Sequence, residues 1–448
     1  MATFAFRTAS DLQARAWDLG VRVPFDRDPA ALLEPLRLLG GGLIPNRFAV
    51  QPMEGFDGTF NGRPDELTFR RYLRYAGGGS GLIWFEATSV APEGRSNPRQ
   101  LWLHRRSRDA FARLVEQTRA LARTHHGPAH EPYLVLQLTH SGRFSRPAGD
   151  PEPLATVTNP WLDRIAHPPR ILDDGDLELI QDRFVQAARL AAEAGFDAVD
   201  IKACHGYLIA DLLAARTREG SRWGGDDLDG RVRFLLETVE RVRAEAAGLA
   251  VAVRLGVYDG LAPPHGFGTS AGEDPTPDLE EPLALVGRLR RSGCVLLNVT
   301  AGIARHNPWV GRPFERPAAG NPPSPEHPLI GVGRLLRLAA EVQQAQPDLP
   351  VVATGFSWLR QWLPQVGAAV VGRGEAALIG LGRAALACPD LPREVMSTGR
   401  VSPKKVCVTC SRCSDLMNAH QPTGCAVQDR EIYGAAWRLL PFAAYERG

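Results

Sequence analysis

The chain is predicted to fold in the α/β class as a (β/α)8 barrel, and three observations carry that prediction. Eight short apolar runs rich in β-branched and aromatic residues recur along it, amphipathic stretches of helical period lie between them, and the two longest connections each follow one of the runs. Alternating strand and helix signals mean repeated βα units and a parallel sheet. Eight such units close naturally into a barrel, whereas open doubly wound sheets more often stop at about five to seven strands. With 448 residues and 44% hydrophobic content, the chain can bury a large core. A barrel of roughly 250 to 400 residues with extensions fits that length.

Residues 1–45 are expected to form an N-terminal cap on the bottom of the barrel, with one helix over 11–19 and a second around 29–39 that ends in three glycines, Gly40, Gly41 and Gly42. The barrel itself occupies 46–398, with strands at 47–51, 82–86, 133–138, 198–201, 250–255, 295–299, 351–354 and 376–381. Helical periodicity fills the gaps between them, for example over 176–191 and 234–243. The connections 141–174 and 300–329 exceed ordinary length and are rich in Pro, Gly and charge. Loops that long are functional lids or disordered, and because these two follow strands they lie over the active face. Residues 399–448 make a C-terminal cysteine-rich extension.

The net charge is +2 from 52 basic and 50 acidic residues. Nothing in that balance argues for a nucleic-acid or membrane-surface partner, so a small-molecule substrate is expected. No apolar run reaches the ~18 to 20 residues of a membrane span, and the N-terminus lacks the layout of a signal peptide. A cytoplasmic location is therefore expected. A homo-oligomer is compatible with the sequence. Seven cysteines, four of them between Cys407 and Cys425, suit metal or cluster binding in a reducing compartment better than a disulfide frame.

The chemistry concentrates in VDIKACHGY (199–207), where Lys202, His205, Gly206 and Tyr207 directly follow a β-rich run. Side chains at the carboxyl end of a barrel strand project at a bound ligand. Imidazole and phenol can hold or protonate a developing oxyanion there. With RWGG (222–225) and RVRF (231–234) after it, the segment resembles the fourth-strand signature of the old yellow enzyme family, FMN-containing NADH:flavin oxidoreductases on a TIM barrel. NRFAVQPM (46–53), EATSVAPEG (86–94), QLTHSGR (137–143) and GRAALACPDL (382–391) are similar to the family's other strand-end motifs, in the family's order.

The resemblance implies an FMN flanked by Pro52, Met53, Glu54 and Ala87, with Gln137 on its pyrimidine end and Arg254 at the N1/C2=O end. Gly355, Gly382 and Arg383 are implied for the phosphate, the usual anion site after strands 7 and 8. Tyr207 is implied as proton donor, with His205 and Lys202 gripping the substrate's carbonyl oxygen. Two residues depart from the family pattern. Lys202 stands at a histidine position, and Glu54 stands where Thr or Cys is usual. An unpaired charge in a dry site is costly, so the two are expected to pair across the cavity. An anionic or nitrogen-containing substrate then comes within reach.

Cys407, Cys410, Cys413 and Cys425 follow the spacing CX2CX2CX11C, which can surround an iron-sulfur cubane or a tetrahedral metal. Their place after the eighth βα unit resembles the iron-sulfur branch of the same family, typified by 2,4-dienoyl-CoA reductase and trimethylamine dehydrogenase, and implies a 4Fe-4S cluster. Those enzymes continue into FAD/NAD-binding domains. With Gly448 last in the sequence, a separate electron-transfer protein is expected as partner, or else a structural clasp. Cys294 and Cys388 read as buried small hydrophobes and Cys204 as turned away from the cavity.

The function expected is an NAD(P)H:flavin oxidoreductase of the ene-reductase kind, moving hydride from reduced FMN to the C=C of an enone or enoyl thioester. One alternative is an amine or desaturating dehydrogenase that passes electrons through the cluster to an external acceptor. The other is a non-redox, zinc-clasped barrel acting as a binding protein or lyase.

Overall fold

A computed structural model describes residues 4–441 of the chain. The first residues of the expected cap, 1–3, and the last of the expected extension, 442–448, lie outside them. Eight parallel strands form a closed barrel: β1 (Phe48–Val50), β2 (Leu82–Ser89), β3 (Tyr133–Thr139), β4 (Ala198–Ala203), β5 (Ala250–Gly256), β6 (Leu296–Thr300), β7 (Val351–Ala353) and β8 (Leu378–Leu381). Each pairs with its neighbour in sequence, and β8 pairs with β1 to complete the ring. All eight fall on the expected runs, because a strand buried on both faces reads as a continuous apolar stretch.

A helix follows each strand: α1 (Glu66–Gly77), α2 (Arg108–His126), α3 (Asp174–Glu193), α4 (Leu228–Glu245), α5 (Glu280–Arg291), α6 (Pro328–Ala345), α7 (Leu363–Gly372) and α8 (Leu391–Thr398). Several begin where side-chain oxygens satisfy the first free N–H groups. Asp173 accepts from Asp176 N at the start of α3, and Asp227 accepts from Gly230 N at 2.7 Å at the start of α4. Pro328 starts α6, where its missing N–H costs nothing.

Successive residues of the strands alternate between helix layer and barrel interior. Phe48, Val50, Ile83, Phe85, Leu134 and Leu136 join the large outer core with the helices. Ala49, Leu82, Trp84, Val135, Ala198, Ala252, Leu296, Val352 and Leu378 form a separate apolar layer inside the ring. Leu38 and Ile44 pack against that layer from below.

Those two residues flank a feature the sequence misdescribes. The second helix expected around 29–39 is a single 3-10 turn, Ala30–Leu32, followed by a hairpin of Leu36–Arg37 with Leu43–Ile44. Pro35 in its middle and the three glycines after it break helical continuation. Gly40 and Gly41 take φ of 88° and 99°, which the reversal requires. The first helix is Ala9–Asp18, capped by Thr8 and Asp11. Upstream of it, Phe4 and Phe6 stand edge-on to Trp358, which follows β7. The N-terminal stretch thus reaches the loop side of the barrel, while the hairpin closes its floor. Among the described residues no helix is long and apolar enough to cross a membrane.

Candidate active site

Two residues above the apolar layer, the same pleat delivers polar side chains to the barrel mouth: Gln51, Gln137, Asp200, Arg254 and Asn298, with Lys202 one step higher. A cavity of about 590 Å³ opens over them, within the size range of cofactor sites. It brings together Pro52, Met53, Glu54, Ala87, Lys202, His205, Tyr207, Arg254, Gly355, Gly382 and Arg383. Gln137 is the exception among the predicted ligand-facing residues. It does not line the cavity and is fully buried, donating from Nε2 to Asp200 Oδ2 at 2.5 Å.

Asp200 also accepts from Trp84 Nε1 at 2.9 Å and from the Arg254 backbone N at 2.5 Å, and burial raises its carboxyl to about 6. The amide that does reach the cavity is Gln51, which is not among the residues the family resemblance implies. Its Oε1 accepts from Asn298 Nδ2 at 2.8 Å and its Nε2 has no partner. A Cβ on Gly380 would lie 2.0 Å from that Nε2, so glycine there leaves the amide its room. The signal for Gln51 was present: two residues after inward-facing Ala49, it must face inward too.

β2 is irregular at the same level. Its register with β3 shifts between Phe85 and Thr88, so Glu86 and Ala87 oppose one residue of the partner strand. Ala87 faces the cavity, whereas Glu86 turns to α1 and is bound by Arg71 and by Tyr72 Oη at 3.2 Å.

The β4 end holds the reactive groups. His205 takes φ of 66° and Gly206 71°, a left-handed pair that turns the chain sharply after the strand. For a histidine this conformation is uncommon and is typically retained where it aims a functional side chain. Its Nε2 lies 3.3 Å from Thr300 Oγ1. Burial, with Arg254 and Lys202 nearby, holds the imidazole well below its ordinary pKa, so it is neutral.

Tyr207 donates to Glu54 Oε1 at 3.2 Å, and Ser96 Oγ donates to Glu54 Oε2 at 2.7 Å. The Lys202 ammonium sits 3.3 Å from the centroid of the Tyr207 ring. The expected charge pair of Glu54 with Lys202 is therefore not direct. The phenol stands between them, its face to the cation and its hydroxyl to the carboxylate. Burial and Glu54 push the phenol well above its ordinary pKa, and burial lowers the Lys202 ammonium.

A second cationic group lies near β7 and β8. Gly355, with φ of 102°, follows β7 and the Gly382–Arg383 step follows β8. Arg383 Nη2 donates to Pro313 O at 2.6 Å, and its Nη1 has no partner. Arg312, not anticipated from sequence, joins it in the cavity wall and contacts Ser414. Burial first and Arg383 second bring the Arg312 guanidinium down to about 10. Two guanidinium groups that repel one another beside Gly355 and Gly382 make a place for a phosphate. A second Gly-Arg step in the sequence, Gly372–Arg373, ends α7 and does not line this wall.

Cys407, Cys410, Cys413 and Cys425 are all free thiols lining one small hollow. Thr409 and Ser411 take φ of 48° and 58°, wrapping the loop around it. Thr409 N lies 3.4 Å from Cys407 Sγ, and Gln428 N lies 3.4 Å from Cys425 Sγ. Such concave loops with inward N–H groups are a common setting for anionic clusters. Among the described residues no three His, Cys, Asp or Glu side chains stand close enough to hold a single metal ion. Cys413 lines the large cavity as well as the hollow.

A model of the NADH:flavin oxidoreductase / NADH oxidase family matches residues 31–271. The NADH oxidase of Thermoanaerobacter brockii is 27% identical over 382 residues, covering 83% of this chain and 52% of the relative. The chain thus spans about half the length of that relative. Among solved structures, a 2-naphthoyl-CoA reductase in complex with 2-naphthoyl-CoA superposes with a TM-score of 0.70 at 22% identity, over 92% of this chain and 58% of that one. The old yellow enzyme homologue from Zymomonas mobilis does so with a TM-score of 0.60 at 22% identity, over 83% of this chain and 94% of that one. At these identities the likeness is one of fold.

Proposed function

The chain belongs to the NADH:flavin oxidoreductase / NADH oxidase family, and from that premise we propose that its barrel mouth holds FMN, draws on NAD(P)H and reduces an activated C=C of an enone or enoyl thioester. One observation carries the reading. Gln51 Nε2, Arg254 Nε, Arg312 Nε and Arg383 Nη1 are buried, unmatched and gathered in the residues lining one cavity. Buried polar atoms are almost always bonded, so a set left open in one place fits a ligand that is amide-like at one part and anionic at another. Gln51, held by Asn298, would meet the pyrimidine edge, Arg254 its negative charge, and Arg312, Gly355, Gly382 and Arg383 the phosphate. A bound flavin supplies the acceptance and delivery of hydride.

The chain's own residues do the rest. Tyr207 holds its proton at neutral pH and gives it to the carbon next to the one that receives hydride. Lys202 against the ring face stabilises the charge left on the phenol when the proton departs. Glu54, accepting from the same hydroxyl, is placed to relay a proton taken up from water back to the phenolate. His205, neutral and fixed on Thr300, orients the substrate's carbonyl oxygen by hydrogen bonding.

The four thiols would hold a 4Fe-4S cluster. Side chains that line a shared hollow without meeting at a point suit a cluster of some volume better than one zinc ion. The placement of Cys413 in both walls favours a second reading, amine oxidation with electrons leaving through the cluster to an external acceptor. The visible spectrum of the purified protein with flavin and iron analysis tests both readings, and a colourless protein overturns them. Rapid anaerobic bleaching by NADH or NADPH supports the reductase. Bleaching by an amine alone supports the dehydrogenase.

A further inference from the structure

Arg146 and Arg164 lie on the long connection after β3, and Arg305 lies on the one after β6. All three line the mouth of the large cavity, and all three line an adjoining hollow of about 210 Å³ that shares Phe144 with it. The Phe144 ring is 5.8 Å from that of Tyr207, and the Arg305 guanidinium is 5.2 Å from the Phe144 centroid. An unbroken wall therefore runs from the phenol to the arginines.

These cations have almost nothing to neutralise them. Among the described residues Arg164 and Arg305 form no ion pair, and Arg146 meets only His420 Nε2, at 3.4 Å. Asp163 in the same hollow is tied to Arg143, and Glu54 in the cavity is held by Tyr207 and Ser96. Asp150 acts on Arg146, but more weakly than burial, Arg305 and Arg164, which together push that guanidinium below its ordinary value. Beside them in the hollow, Trp161 is 64% exposed. An exposed indole next to several guanidinium groups is the combination that takes a base on its face and phosphates on its cations. A single carboxylate would need one of the three.

We propose that this rim binds the phosphorylated nucleotide tail of the molecule whose reacting end lies at Tyr207; only the reacting end depends on the function proposed above. An acyl-thioester carrier and a nicotinamide dinucleotide phosphate both have such a tail. They differ in whether the ribose phosphate is at the 3′ or the 2′ position.

The test is equilibrium binding of adenosine 3′,5′-bisphosphate and adenosine 2′,5′-bisphosphate to the purified holoprotein, with adenosine as control, read by tryptophan fluorescence and by calorimetry. At least one bisphosphate is expected to bind about tenfold or more tighter than adenosine, and Arg164→Ala and Arg305→Ala should each weaken it about tenfold. Preference for the 3′,5′ isomer assigns the tail to a thioester substrate, and preference for the 2′,5′ isomer assigns it to the reductant. Bisphosphates that bind no better than adenosine, or variants that bind them as the parent does, overturn the inference. Flavin content measured on the same samples separates the two readings. Retained flavin without bisphosphate preference sinks only this inference, whereas bisphosphate binding to a flavin-free protein upholds it and sinks the proposed function.

Discussion

The floor and the mouth of the barrel interior are built by the same strands, only two residues apart. At the floor, Ala49, Leu82, Trp84, Val135 and Leu296 meet side chain to side chain, and the one polar atom among them, Trp84 Nε1, is satisfied by Asp200. At the mouth, Gln51, Gln137, Arg254 and Asn298 each leave an atom without a partner. A buried polar group left unbonded costs about 1–3 kcal/mol. One layer is closed on itself, and the next leaves atoms for a ligand or water to meet. A ligand that meets the mouth's open atoms should in turn stabilise the fold.

The sharpest test of this division is Tyr207→Phe. Losing the hydroxyl proposed as proton donor should slow reduction of an activated alkene by about 10²- to 10⁴-fold, with the melting temperature unchanged; a rate within about threefold of the parent would remove the acid role. The mirror experiment is Leu296→Ala at the floor. It should cost about 2–5 kcal/mol in denaturant unfolding, while the fraction still folded keeps its flavin.

A third test uses His140, buried just past β3, where desolvation lowers the imidazole to about 4. The unfolded chain, with a histidine pKa of about 6.5, binds the proton first. Stability from this residue is thus present above about 6.5 and is lost as pH falls toward the folded value. The parent should lose about 2 kcal/mol more than His140→Gln between pH 7 and pH 5, read from urea midpoints at both; equal losses would place the ring in a wetter setting.

The smallest effect is expected for Gln51→Leu. It removes an unbonded amide N–H but also the acceptor of Asn298, so the flavin-free protein should melt within a few degrees of the parent. Flavin affinity should fall about tenfold, measured by fluorescence titration. A variant that binds flavin as well as the parent would leave the amide without a role.

Much of the barrel was legible because buried parallel strands advertise themselves as apolar runs, and β4 through β6 begin within about a residue of where the sequence places them. The mouth was harder to read. Gln137 and Gln51 carry the same amide on inward-facing positions, and only the partner each finds, Asp200 taking the Gln137 N–H, separates the one that lines the cavity from the one that does not. The Glu54 and Lys202 charges suggested a direct pair, since sequence does not show that the Tyr207 ring lies between them. Arg312 and the arginines of the rim sit on long connections, where no periodicity marks direction. The helix expected around 29–39 runs into the first strand of the hairpin because Leu32, Leu36 and Leu39 fall at helical spacing, while Pro35 and the glycines are the better guide.

The extra residue in β2 sets the phase of everything after it on that strand. Ahead of it the beat runs odd-out, even-in; behind it the beat is reversed. Deleting Ala87 or Thr88 would restore the original rhythm and swing a carboxylate toward the cavity, leaving Arg71 with Asp57 alone. The electrostatic character of the mouth is thus governed by a count of residues along one strand, as well as by the side chains that would touch a ligand.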